Sequence, residues 1–151
     1  MANADELPRP RKKYFTVESA NKMLPLVRSI ATDIVEKYRQ LNEQCERTMF
    51  LQGVRPESMS AAHREEVEQI GKDIEQAKEE LAALIDELRR LGVDLKGPDG
   101  LVDFPSMLDN REVCLCWKVG EAEVMYWHEL EAGFAGRQSL KADMISRSGR
   151  N

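Results

Sequence analysis

Two long stretches of the chain repeat apolar residues in alternating steps of three and four, and the pattern then changes to alternation by two. In the first stretch Val27, Ala31, Ile34, Tyr38, Leu41, Cys45 and Thr48 form one seam, the spacing of a single helix face. Thr16 is placed to cap this helix and Glu18 lies in its first turn, where unpaired N–H groups favour an acceptor and a negative charge. Pro25 falls inside the pattern and either starts a new helix after a short one or kinks a continuous one. The second seam runs Val67, Ile70, Ile74, Ala77, Leu81, Leu84, Leu88, Leu91. Ser58 or Ser60 can cap it, and Gly92 suits the left-handed residue that ends a helix. Between the seams "LQGVRPES" breaks the period with Gly53 and Pro56. The pattern predicts helices over about 16–51 and 58–91 that fold back as an antiparallel, coiled-coil-like hairpin. At about 1.5 Å per residue, each arm is roughly 35–45 Å long. The rest of the chain is too short to cover such an arm, so the far end of the seam must pair within the hairpin or with a second copy.

After Gly92 the signals are those of turns and strands. "GPDG" at 97–100 is turn chemistry. Strands are expected over about 101–105, 112–118 and 123–130, a three-stranded antiparallel β-meander. The fold class is therefore α+β. An Asp109–Asn110 turn pairs Phe104 with Leu115 and Val102 with Trp117. A tight turn at Gly120–Glu121 sets Lys118 opposite Glu123, Trp117 opposite Val124, Leu115 opposite Tyr126 and Val113 opposite His128. In that register one face collects Val102, Phe104, Val113, Leu115, Trp117, Val124, Tyr126 and His128, apolar enough to pack on the helices. The other collects Asp103, Cys114, Cys116, Lys118, Glu123, Met125 and Trp127. A slip of one residue reverses a whole strand. A three-residue turn would bring Cys114 opposite His128, losing the Lys118–Glu123 pair.

Composition narrows the class. The chain has 151 residues, 42% of them hydrophobic, which suits one domain with a core of its own. Charged residues make up 32%, in keeping with long solvated helices, and the net charge is −5. That balance gives no general pull toward nucleic acid, although the basic "RPRKK" near the start leaves it as a third reading. No apolar run reaches the length of a membrane span, and the first residues lack the apolar segment of a secretory signal. Three cysteines, none in a CxxC pair, fit reduced thiols in the cytoplasm. Residues 1–13 are expected to be a disordered basic arm, 14–140 a single domain, and 141–151 a flexible tail.

Candidate chemistry concentrates in "HELEAGFAGRQ". His128 and Glu131 stand three apart, a spacing that can bring an imidazole and a carboxylate to one divalent metal ion. Two ligands are too few for a tight site, and a third could come from Asp103, Glu121 or a helix carboxylate. In the competing reading His128 donates a hydrogen bond and Glu131 caps the turn or pairs with Arg137. Gly133 and Gly136 with Arg137 resemble an anion-binding loop only loosely and suit a structural turn. His63 reads as an exposed helical residue. No organic cofactor is predicted, and there is no GxSxG, HExxH or nucleotide-binding fingerprint.

"KYFTVESANKMLPLV" at 13–27, "GLVDFP" at 100–105, "CLCWKVGE" at 114–121 and "YWHELEAGFAGRQSL" at 126–140 resemble a bacterial family of uncharacterised proteins with LVDFP, LCW and WHxLxxGFAGR motifs. The resemblance carries no activity. It directs attention to Asp103, Cys116, Trp127, His128, Glu131, Gly133, Gly136 and Arg137. Two functions are expected from different classes. The first is a non-enzymatic, cytoplasmic protein that self-associates through its helical hairpin, most simply as a homodimer, with any other protein partner unspecified. The second is a metal- or small-molecule-binding protein, with hydrolysis among the activities open to it, using His128, Glu131, Arg137 and Asp103.

Overall fold

The computed structural model describes residues 13–53 and 60–141. The expectations for a basic arm over 1–13 and a tail over 141–151 therefore lie, save for Lys13 and Lys141, outside the described residues, as does the loop with Pro56 and Ser58. Helices α1 (Val17–Gln52) and α2 (Ala61–Arg90) precede a five-stranded antiparallel sheet. Its strands are β1 (Asp94–Leu95), β2 (Leu101–Leu108), β3 (Arg111–Lys118), β4 (Tyr126–Glu129) and β5 (Gln138–Ser139), in that spatial order. The class is α+β, with five strands where three are expected. The additional two are two-residue edges, too short to show an alternation. No described helix is long and apolar enough to cross a membrane.

Each helix has a chemical reason to start and stop. The Thr16 hydroxyl accepts from the Ser19 amide at 2.9 Å while Ser19 Oγ accepts from the Thr16 amide at 2.8 Å. This reciprocal box satisfies two donors that the first turn leaves unpaired. α1 passes through Pro25 unbroken. Ser60 is the cap of α2, and Gly92, at φ +87°, turns the chain out of it. The buried residues of α1, among them Ala20, Leu24, Val27 and Ile34, form one hydrophobic cluster with Val102, Phe104, Leu115 and Trp117 of the sheet. Phe15 meets Phe104 edge to face at 5.2 Å. Toward the hairpin tip the seam is less covered: Cys45 is exposed and Thr48 and Val67 are half-buried, while off the seam Met49 is 71% exposed and Phe50 78%.

β2 and β3 pair as expected, Val102 with Trp117 and Phe104 with Leu115. Their two-residue turn holds Asp109 and Asn110 at φ 52° and 64°, the conformation Asp and Asn tolerate best among residues with a Cβ. The next hairpin corrects the expectation. Cys114 lies opposite His128, Leu115 opposite Trp127 and Cys116 opposite Tyr126, one residue away from the predicted register. The cause is in residues 119–125. The Glu121 carboxylate accepts the Lys118 amide at 2.8 Å, and the Glu121 carbonyl accepts Trp117 Nε1 at 3.0 Å. The Val124 amide is donated to Asn21 Oδ1 on α1 at 2.7 Å. Val124 enters the core from this loop rather than from a strand. Val124 and Trp127 are then both inward, three residues apart, which no strict alternation gives. Lys118 pairs with Asp99, not Glu123.

Candidate metal centre on the outer face of the sheet

The corrected register moves His128 to the face turned away from the helices. That face carries Asp103 from β2, Cys114 and Cys116 from β3, and Tyr126 and His128 from β4. Asp103 is 4% exposed and His128 2%, although both are polar. Buried polar groups of this kind need partners, and they have them. His128 Nε2 lies 2.9 Å from Asp103 Oδ1, and Nδ1 lies 2.7 Å from the Glu129 carbonyl oxygen. A carbonyl can only accept, so Nδ1 carries a hydrogen and donates it. One proton is then held between Nε2 and Oδ1.

Cys116 completes the surroundings of Asp103. Burial pushes its thiol up to about 12, with the charge of Asp103 and a hydrogen bond to that carboxylate acting in the same direction. The thiol therefore stays protonated and serves Asp103 as a donor. Cys114 has a different place. One ligand atom each from Asp103, Cys114 and His128 lie within 4.8 Å of one another.

The other motif residues form a separate clamp beside this cluster. Arg137 makes a two-pronged ion pair with Glu121, at 2.6 and 2.7 Å. Its guanidinium stacks on Tyr126 at 3.9 Å and on Phe134 at 4.8 Å, and Lys118 Nζ lies 5.5 Å from the Phe134 ring. These contacts fold the 3-10 turn Phe134–Gly136 back onto the sheet. Arg137 thus joins the LCW-containing motif to the GFAGR motif and does not reach His128 through any described contact. Glu131 is exposed in the turn after β4 and lies outside the donor cluster. The partner proposed for Arg137 from sequence, Glu131, is replaced by Glu121.

Of the residues expected at a site, the structure brings Asp103 and His128 together and leaves Glu131 and Arg137 apart from them. Sequence reasoning set Cys114 aside in favour of the Lys118–Glu123 pair and missed the Glu129 carbonyl. The three-residue-turn register was the signal for Cys114. Nothing in the sequence marks a backbone carbonyl.

Residues 13–140 match the family described as "Uncharacterized conserved protein (DUF2203)". The chain belongs to this family. No curated protein and no solved structure matches it. The match begins just before the α1 cap and ends just after β5. It therefore takes in the whole outer-face cluster and the Arg137–Glu121 clamp of this family member.

Proposed function

We propose that this protein binds a transition-metal ion of the zinc class through Asp103, Cys114 and His128. The observation that carries the reading is the convergence of an oxygen, a sulfur and a nitrogen donor within 4.8 Å. A mixed set that includes a thiolate favours zinc-class ions over magnesium or calcium, which prefer oxygen alone. The imidazole is prepared for the role. With Nδ1–H fixed on the Glu129 carbonyl, Nε2 is the ligand atom, the arrangement that commonly orients metal-bound histidines. An ion entering there displaces the proton shared with Asp103. Tetrahedral ligation at roughly 2.0–2.3 Å sets donor atoms roughly 3.3–3.7 Å apart. Separations that reach up to 4.8 Å must contract by no more than about 1 Å, and the 2.9 Å Asp103–His128 edge must open.

The same geometry argues against nucleophilic catalysis. Both ring nitrogens are engaged by oxygen partners, so in this arrangement neither serves as a general base. Asp103 and His128 are also too deeply covered to meet a substrate. The reading is a binding centre. Equilibrium dialysis against zinc tests it. Wild-type protein takes up about one equivalent more than the Cys114→Ser and His128→Gln variants. Equal uptake by all three would remove the proposal.

A second reading is favoured by the exposed tip of the hairpin, where Met49 is 71% and Phe50 78% exposed. A second copy of the chain covers this end in a homodimer. Light scattering then gives a dimer mass for wild type and a monomer mass for Phe50→Glu. A monomeric wild type at micromolar concentration eliminates it.

A further inference from the structure

The three donors of the cluster come one from each of three adjacent strands, Asp103 from β2, Cys114 from β3 and His128 from β4. These strands are not equally well held. β2 and β3 pair over eight residues through a two-residue turn. β4 pairs with β3 over four residues only, and β5 with β4 over two. A loop precedes β4, and the 3-10 turn that follows it has no buried residue. Leu130 and Phe134 beside it are about half exposed. Short ladders open before long ones, so β4, although Trp127 and His128 on it are buried, and β5 are held less firmly than the β2–β3 hairpin.

That edge also forms one wall of a groove of about 650 Å³ beside the start of α1. Val17 and Asn21 line the helix side. Val124, Met125, Ser139 and Leu140 line the other. All four belong to β5 or to the segments adjoining β4 and β5. Two hydrogen bonds anchor this wall, Val124 N–H to Asn21 Oδ1 at 2.7 Å and Leu140 N–H to the Met125 carbonyl at 2.9 Å.

We propose that the ion acts as a cross-strand staple: by tying His128 to donors on β2 and β3, its occupancy controls whether the β4–β5 edge, and with it the wall of the α1 groove, is closed. This rests on the metal-binding reading above and states what binding does. His128 is the only donor on the weakly paired strand. An ion that binds the closed arrangement and not the open one shifts that local equilibrium toward closure by mass action. The ladder of β2 and β3 and the helices gain little, because they are held without it.

Hydrogen exchange read by mass spectrometry on the full chain, with and without equimolar zinc, tests the proposal. A Cys45→Ser background removes the exposed thiol as a competing ligand. Zinc should slow exchange of peptides spanning 122–140 by about tenfold or more, and leave 17–52 and 61–90 unchanged. Cys114→Ser, a partly exposed position that leaves the core intact, should keep the zinc-free exchange pattern and lose the slowing. Calorimetry on the same samples separates the two claims. Binding heat without local slowing, or with equal slowing everywhere, overturns the staple while leaving the binding centre. No binding heat overturns both.

Discussion

The two faces of the sheet are built on different rules. The helix-facing side is hydrocarbon: Val102, Phe104, Val113, Leu115, Trp117 and Trp127 are all buried in the cluster shared with α1 and α2. Its polar atoms are few. Trp117 Nε1 donates to the Glu121 carbonyl, and Trp127 Nε1 has no partner among the described residues. Packing of this kind is non-directional, and a neighbouring side chain can adjust to a small change. The outer side is polar and buried at once. Asp103, His128 and Cys116 are each nearly inaccessible, and each depends on one or two named partners at hydrogen-bonding distance. The inner face is secured by amount, and the outer face by placement.

The comparison can be broken first at the inner face. Phe104→Ala removes a fully buried ring and its contact with Phe15, and should cost about 3–5 kcal/mol. Urea denaturation monitored at both helix and sheet wavelengths should show the loss at both, because one core serves the two. A loss confined to the sheet would mean that the faces are less distinct than described.

The outer face responds differently. His128→Ala leaves the Asp103 carboxylate buried without its main partner, at a cost of about 2–4 kcal/mol. Changing Asp103→Ala in the same molecule should recover part of that. A double-mutant cycle should return a coupling above about 1 kcal/mol. The same cycle on Phe104 and the outer-face His128 should be additive within about 0.5 kcal/mol. A coupling near zero for Asp103 and His128 would contradict the pairing.

The smallest effect is the one that reports on a single proton. Folding holds the Cys116 thiol protonated up to about 12, whereas the unfolded thiol ionises near its ordinary value of about 8.5. Between these values the unfolded chain binds fewer protons, so stability falls as pH rises. Below pH 8 the contribution is complete and flat. The alkaline slope should shrink in Cys116→Ala. Native-state alkylation should label the exposed Cys45 and spare Cys116. Rapid labelling of Cys116 in folded protein would show that the outer face is open.

The same contrast explains what could be read from sequence. The helices, Thr16 as a cap, Gly92 as a terminator and the Asp109–Asn110 turn follow from local rules, and the structure has them. The inner positions of β2 and β3 follow from alternation. The outer cluster was not legible, because its membership depends on a phase difference of one residue across the 119–125 loop. That phase is set by Glu121 and by Asn21, which is distant in sequence. A tight Gly120–Glu121 turn with a Lys118–Glu123 pair made Val124 and Tyr126 the expected strand partners and so turned His128 inward. Glu131 was attractive by spacing, but the chain leaves β4 in an exposed turn before reaching it.

The bond between Asn21 and Val124 has a consequence for the order in which the molecule assembles. Hairpin β2–β3 needs only its own turn and can form from local contacts. β4 receives its alignment from a side chain 103 positions earlier, so the last strands cannot register until the first helix has docked. Loop closure over that distance is slow compared with a two-residue turn. The polar cluster, which needs β4 in register, is therefore among the last features of the native state to form.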